Sequence, residues 1–213
     1  MTESKASAVL EVLAEKYPET LDDPSRSDPF HTLIGCILSQ RTRDSNSEKA
    51  AETLFSHASK PSDIIRLNRE ELHDLIRCSG FYRQKAKYIR ETCRELIERH
   101  DGVVPKERGK LLTLPGVGPK TADIVLSRCF GGQMLPVDVH VSRVSRRLGF
   151  APMEAGPEEV QSLLHKLLPP DRYLFYDRSI VRVGKEYCRK SNPLCGECPL
   201  MGCCDYGKPS TGI

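Results

Sequence analysis

The chain has 213 residues, a formal net charge of +3 and 38% apolar residues. That length can bury a substantial core in one large or two small domains. The charge is too small to indicate nucleic-acid binding by itself, and no apolar run reaches the length of a membrane span. Because Met1–Lys5 lacks the apolar stretch of a signal peptide, we expect an intracellular protein with no membrane partner.

Apolar residues recur at helical spacing along most of the chain, as in Leu33–Leu38 and Val160–Leu167. Alternating strand patterns are absent from the sequence. Glycine and proline punctuation, such as Asp28-Pro29, separates about ten helices of modest length. The sequence therefore predicts an all-α fold. Gly131-Gly132 is the best candidate for a domain boundary, and Lys208–Ile213 is expected to form a frayed tail.

Two polar segments interrupt the helical pattern, at Leu38–Asp44 and Ser79–Lys85. Their polar, basic and aromatic members are Gln40, Arg41, Thr42, Phe81, Tyr82, Arg83 and Lys85. Cations next to aromatic rings suit a nucleic-acid surface, because cations bind phosphates and aromatic rings wedge against bases. A glycine helix cap followed by a solvated helix, with Phe81 or Tyr82 in the core, explains the second segment equally well.

A tight turn joins two predicted helices in the middle of the chain. Gly116, Val117 and Gly118 supply two positions that can adopt positive φ, and Pro119 suits the first turn of the next helix. A nucleotide-binding P-loop is excluded, because Pro119 separates the glycines from Lys120-Thr121 and no parallel-sheet pattern precedes them. The unpaired N–H groups at the helix start suit the phosphates of a nucleic-acid backbone. An ordinary corner between two helices is the alternative.

Lys120 and Asp138 lie on segments that can meet. The helix from Lys120 to Phe130 rises about 15 Å, and the following chain can span up to about 26 Å back to Asp138. A lysine amine can attack an electrophilic carbon, and a carboxylate can stabilise positive charge or move protons. Taken alone, the pair is better explained by a phosphate-binding or solvated lysine and by Asp138 as a helix N-cap.

A basic run follows Asp138 on the next predicted helix. Arg143 and Arg147 share one helix face, with Arg146 beside them. We expect these side chains to bind DNA or to pair with carboxylates across a domain interface.

Cys188, Cys195, Cys198 and Cys204 have the spacing C-x₆-C-x₂-C-x₅-C. In an intracellular chain this predicts a metal site rather than disulfides, and no histidine lies in the window to complete a mixed zinc site. Zinc sites with four cysteines usually contain two C-x₂-C pairs, so an iron-sulfur cluster is at least as well supported. Cys203 competes with Cys204 as the fourth ligand. We expect the remaining cysteines to pack as reduced apolar residues: Cys36, Cys78, Cys93 and Cys129.

The motif LPGVGPKTA at 114–122, the motif VDVHVSRVSRRLGF at 137–150 and the four spaced cysteines occur in an order that closely resembles the endonuclease III branch of the helix-hairpin-helix DNA glycosylases. The resemblance extends from about Asp28 to Cys204. It implies a two-domain helix-hairpin-helix glycosylase fold, with a six-helix barrel at 21–132 and a discontinuous iron-sulfur domain at 1–20 and 133–213. The active site would lie in the cleft between them. It also implies a [4Fe-4S] cluster bound by Cys188, Cys195, Cys198 and Cys204.

The same resemblance implies base excision DNA repair by a monomer in the cytoplasm or nucleoid. The partner would be double-stranded DNA containing damaged pyrimidines or abasic sites. Lys120 and Asp138 match the catalytic pair of the family, in which the lysine forms a Schiff base and the strand is cleaved by β-elimination. The two polar segments of the family fill the gap left by a flipped nucleotide. Phe81 matches an apolar wedge, while Arg41, preceded by Gln40, stands where glutamine is usual.

Two alternative functions remain at this point. The first is a glycosylase for thymine or uracil mismatched with guanine, and Lys120 argues against it because related enzymes without strand cleavage lack this lysine. The second is a non-catalytic, redox-sensing DNA-binding module. That module would have no need for Lys120 and Asp138 in register.

Overall fold

The computed structural model describes residues 2–20 and 27–207. All regular structure in these residues is helical, which confirms the predicted all-α fold class. No helix within them combines the length and the hydropathy needed to cross a bilayer. The predicted frayed tail, Lys208–Ile213, lies outside the described residues. The α-helices are α1 (Thr2–Lys16), α2 (Pro29–Ser39), α3 (Asp44–Phe55), α4 (Pro61–Arg66), α5 (Arg69–Leu75), α6 (Tyr82–His100), α7 (Arg108–Thr113), α8 (Pro119–Phe130), α9 (Val139–Leu148), α10 (Pro157–Leu167) and α11 (Tyr173–Glu186).

The chain divides into two compact units. We call Arg26–Gly132 the hairpin unit, and Met1–Ser25 together with Gln133–Ile213 the cysteine unit. The chain leaves the hairpin unit after Gly132, next to the left-handed Gly131 that caps α8. The predicted domain boundary at Leu21 lies outside the described residues.

The hairpin unit contains α2 to α8, and its local sequence determines where these helices begin. The Asp28 side chain accepts a hydrogen bond from the His31 amide (2.7 Å) and caps α2, whose first residue is Pro29. Asn68 and Glu71 form a capping box at the start of α5. This cap begins α5 directly after α4, so α4 and α5 are two separate short helices. The described residues of the hairpin unit form seven helices, α2 to α8.

The cysteine unit combines the first helix with the last three. Val9 and Leu13 of α1, and Tyr17 just after it, are buried in one core with residues of α9, α10 and α11. Helices α9 and α11 approach closely at Gly184, where an added Cβ would lie 2.8 Å from the Cβ of His140. Only glycine fits this crossing without displacement of a helix backbone.

We therefore expect Gly184→Ala to lower the free energy of unfolding by about 1–3 kcal/mol, the usual cost of overpacking a core. Thermal and urea denaturation of the intact protein would measure it. The control is Gly35→Ala within α2, where an added Cβ meets nothing within 4 Å. Removal of a helical glycine there should stabilise the protein by about 0.5–1 kcal/mol. Equal effects of the two substitutions would show that the α9–α11 contact is not tight.

Candidate nucleic-acid interface and metal centre

The predicted turn between α7 and α8 has the geometry of a helical hairpin. The Val117 amide donates to the Leu114 carbonyl (3.1 Å), which closes the turn. Gly116 adopts φ +76°, a left-handed conformation that favours glycine. Gly118 is extended at φ −100° and serves as the N-cap of α8, so only one of the two glycines uses positive φ. Pro119 then begins the helix, as predicted.

Three side chains from elsewhere in the hairpin unit hold this turn. The Thr92 hydroxyl donates to the Pro115 carbonyl (2.8 Å), and the Gln40 amide donates to the Gly116 carbonyl (2.8 Å). The Tyr88 side chain lies 3.0 Å from the position of a Cβ on Gly116. These supports were not found from the sequence, because no local pattern marks them.

The start of α8 presents its backbone and one long side chain. Lys120 is exposed, whereas the side chains of Val117 and Thr121 are buried. Contacts by Val117 and Thr121 with a phosphate would therefore have to use their backbones. Below the turn, the Arg108 guanidinium donates to the buried Asp123 carboxylate (2.7 Å) and joins α7 to α8.

The two polar segments lie against each other within the hairpin unit. An added Cβ on Gly80 would lie 3.2 Å from the Arg41 carbonyl and 3.2 Å from the Thr42 hydroxyl. Arg41 and Phe81 both have positive φ, +50° and +57°. Both are exposed, and Phe81 exposes 65% of its surface. Phe81 is therefore not a core residue.

Lys85 corrects one prediction, because it is buried and does not lie on the surface. Only 3% of the residue is exposed. Its ammonium donates to the Leu38 carbonyl (2.6 Å), the Thr42 hydroxyl (2.7 Å) and the Ser79 hydroxyl (2.8 Å). Burial lowers the pKa of Lys85 to about 8, whereas the three acceptors favour the charged form. All three donors are used inside the protein, so Lys85 cannot contact a DNA phosphate as predicted.

The neighbouring members of the second segment lie nearer the surface. Arg83 is exposed, and its guanidinium carbon lies 5.5 Å from the centre of the Tyr82 ring. Tyr82 is partly buried and meets the His73 ring edge-on. Arg83 can therefore reach an anionic partner, while Tyr82 mainly braces the start of α6.

Asp138 caps α9 in the cysteine unit. Its Oδ1 atom accepts hydrogen bonds from the amides of His140 (2.7 Å) and Val141 (2.8 Å). The N-cap role considered for Asp138 is therefore present. A cap also holds the carboxylate in one orientation, which is compatible with a chemical role. Lys120 belongs to the hairpin unit, so a joint role of the two residues is a proposal made below.

The basic run on α9 stabilises its own unit. Arg143 donates to the carbonyls of Cys188 (2.8 Å) and Gly184 (2.9 Å). Arg147 donates to the Arg189 carbonyl (2.8 Å) and to the Cys188 sulfur (3.3 Å). The partners of these two arginines are therefore backbone carbonyls and a thiol sulfur, and they join the cysteine-rich segment to α9.

The four spaced cysteines line one cavity, together with Arg147 and several apolar residues. Among the described residues no histidine or carboxylate lines that cavity, so the usual metal ligands in its lining are the four thiols. Burial raises the pKa of the Cys198 thiol, and the nearby thiols of Cys188, Cys204 and Cys195 raise it further. Cys203 does not line the cavity and packs against the core.

Over residues 2–20 and 27–207, no three His, Cys, Asp or Glu side chains form a group that could hold a metal ion. Ligands of one zinc ion must lie close together, each about 2.3 Å from the metal. The shared cavity and the influence of three thiols on the pKa of Cys198 show that the four cysteines lie around one space.

The four other cysteines have no such arrangement. Cys93 and Cys129 are buried, while Cys36 and Cys78 are partly exposed. Burial raises the pKa of Cys93 to about 12, so this thiol stays protonated at neutral pH. The expectation that these residues pack as reduced side chains agrees with their free thiols.

The chain is similar to known proteins over nearly its full length. Residues 34–170 match the family described as HhH-GPD superfamily base excision DNA repair protein. Endonuclease III of Thermotoga maritima is 43% identical, with 97% of this chain and 93% of the relative covered. Endonuclease III of Escherichia coli K12 is 35% identical, with 97% of each chain covered. A solved structure of a trapped covalent intermediate of endonuclease III with DNA is 35% identical, covers 97% of both chains and has a TM-score of 0.89.

The buried Lys85 predicts a pH dependence of stability. Its pKa is about 8 in the folded chain and 10.5 ordinarily, so between these values the unfolded chain binds more protons. Relative to Lys85→Met, which does not titrate, the wild-type chain should gain stability as pH rises from about 8 to about 10.5, by at most about 1.4 kcal/mol per pH unit. The gain should disappear as pH falls through 8.

Urea denaturation across this pH range would measure the difference. Lys87→Met removes a lysine of the same helix whose side chain is 64% exposed, and it serves as the control. If the difference in the free energy of unfolding between the wild-type chain and Lys85→Met stays constant across this pH range, the Lys85 pKa is not lowered.

Proposed function

The chain belongs to the endonuclease III family, within the HhH-GPD superfamily of base excision DNA repair proteins, and we propose that it removes damaged pyrimidines from double-stranded DNA and then cleaves the abasic site. The enzyme is a DNA glycosylase and abasic-site lyase. The observation that carries the proposal is the position of Lys120. It is an exposed amine on the second residue of α8, directly after the hairpin turn.

In the proposed reaction the damaged nucleotide is flipped out of the duplex. The Lys120 Nζ, as a neutral amine, attacks C1′ of the sugar while the bond from C1′ to the base breaks and the base leaves. The sugar ring opens to give a Schiff base between C1′ and Nζ. Loss of a proton from C2′ then expels the 3′ phosphate by β-elimination, and water releases the sugar remnant and regenerates the amine.

Asp138 has two roles in this proposal. Its carboxylate stabilises the positive charge that develops on the sugar and helps to move protons between steps. The cap bonds to His140 and Val141 preorganise it for this task. The proposed catalytic pair takes Lys120 from the domain at 21–132 and Asp138 from the domain formed by 1–20 and 133–213.

DNA binding is assigned to three segments of the hairpin unit. The turn at Gly116, Val117 and Gly118 leads directly into the start of α8, where a helix favours phosphate. The exposed side chains of Phe81 and Arg41 would enter the gap in the base stack that the flipped nucleotide leaves. The bond between Gln40 and the Gly116 carbonyl supports Arg41, rather than Gln40, as the second inserted side chain.

We propose that Cys188, Cys195, Cys198 and Cys204 bind a [4Fe-4S] cluster. The presence of all four thiols in the lining of one cavity supports it, as does the position of Cys203 outside that lining. When bound, the cluster supplies covalent cross-links that hold a short segment with little core of its own. Arg147 and Arg143 anchor the same segment to α9 through backbone carbonyls.

Lys120 also decides between the alternatives. A glycosylase that only hydrolyses the base from thymine or uracil mismatches would not need an amine at this position. A redox-sensing binding module would need neither Lys120 nor a capped Asp138. Both alternatives lack a use for the exposed amine at the start of α8.

For the cluster, we expect protein handled without oxygen to be yellow-brown and to contain about four irons per chain. Cys198→Ser should abolish the visible absorbance and lower stability, because a cluster ligand is lost. Cys203→Ser is the matched control and should keep both the iron and the colour. Stoichiometric zinc without visible absorbance would contradict the assignment.

For the nucleophile, Lys120→Gln should bind lesion-containing duplex but form no covalent adduct when borohydride is added during turnover. The wild-type chain should form a stable adduct, because borohydride reduces a Schiff base. Asp138→Asn keeps an acceptor for the cap and removes the charge, so base release should slow by roughly a hundredfold or more while binding is retained. Wild-type levels of adduct with Lys120→Gln would mean that another amine is the nucleophile.

A further inference from the structure

The two exposed residues Arg41 and Phe81 are held in backbone conformations that their side chains disfavour. Positive φ is uncommon for residues other than glycine, asparagine and aspartate. Among the described residues, the other non-glycine examples are Asp101 and Asn192, which tolerate this conformation. Arg41 and Phe81 therefore require support from the surrounding structure.

Lys85 provides a connection between the two segments that carry these residues. Its acceptors at Leu38 and Thr42 belong to the first segment, and its acceptor at Ser79 belongs to the second. An ammonium has three donors, and all three are used. The Ser79 hydroxyl also donates to the Leu38 carbonyl (2.9 Å), so the two segments and the ammonium form one closed network.

The helices explain why a charged group suits this buried position. Leu38 lies in the last turn of α2, where carbonyls lack intrahelical partners and the dipole favours a cation. Lys85 lies in the first turns of α6, and its side chain reaches back to that end of α2. The ammonium thus joins the end of one helix to the start of another, with Arg41 and Phe81 exposed nearby.

We propose that Lys85 is a positioning residue that sets Arg41 and Phe81 at a fixed spacing, so that both enter the duplex together. This inference rests on the proposed function. Lys85 does not touch DNA, because its donors are occupied and it is buried. Loss of the Lys85 ammonium should therefore slow reactions on duplex DNA, in which the base stack must be opened and the gap filled. It should not slow reactions on a single strand, which has no such stack.

The test compares one abasic site or lesion in duplex DNA with the same strand alone. Lys85→Met keeps the length of the side chain and removes all three donors. We expect the ratio of duplex to single-strand borohydride trapping to fall by about tenfold, since a single strand has no stack to fill. A 2-aminopurine base beside the lesion should also show less fluorescence increase on binding.

Two comparisons separate positioning from loss of charge or loss of fold. Lys87 lies two residues after Lys85, and its side chain is exposed. Lys87→Met therefore removes the same charge from the surface and should weaken the duplex and single-strand reactions by similar factors. In a protein that already carries Arg41→Ala and Phe81→Ala, adding Lys85→Met should lower the ratio of duplex to single-strand trapping little further, because the side chains that Lys85 positions are gone.

The outcomes are distinct. If wild-type protein neither excises lesions nor is trapped, the proposed function fails and this inference fails with it. If wild-type protein is active and folded Lys85→Met keeps the wild-type ratio, only the inference is overturned. Should Lys85→Met not fold, Ser79→Ala removes one acceptor and is expected to lower the ratio by about threefold. An unchanged ratio in Ser79→Ala would then overturn it.

Discussion

The backbone turn at Gly116 is the constraint on which the exposed face of the hairpin unit depends. Its left-handed φ and the nearby Tyr88 side chain leave no room for a Cβ. Its carbonyl accepts the Gln40 amide, which places the first polar segment against the hairpin. Thr42 of that segment then bonds to Lys85, which bonds to Ser79 of the second segment. One continuous set of hydrogen bonds therefore fixes all three segments assigned to DNA.

The cations of this chain fall into two groups that the sequence does not separate. Lys85, Arg143 and Arg147 direct their donors to carbonyls and hydroxyls inside the protein. Lys120 and Arg83 remain exposed. A net charge of +3 is therefore a poor guide to the charge that a partner meets, because part of the positive charge is used to join segments. The buried ammonium of Lys85 is tolerated because each of its three donors has an oxygen acceptor.

The sequence was sufficient to predict the all-α class, the hairpin and the start of α8 at Pro119. These features depend on periodicity and on glycine and proline positions, which are local. The family was identified through the resemblance of three motifs to those of a known family. The position of Lys85 was wrongly predicted because a lysine after two aromatic residues resembles a surface cation. Its burial depends on contacts with Leu38 and Thr42, which lie about forty residues earlier, and helical periodicity carries no information about such contacts. The supports from Thr92 and Tyr88 were missed for the same reason.

The composition of the cysteine unit has a consequence for biosynthesis. Its first helix, α1, buries Val9 and Leu13 against residues of α9, α10 and α11. A ribosome makes α1 before the whole hairpin unit and makes the partners of α1 afterwards. The contiguous hairpin unit can fold while the apolar face of α1 still has nothing to cover it. A nascent chain that stalls before α9 would keep that face open to chaperones and to aggregation, so helices made late decide whether the first helix is protected.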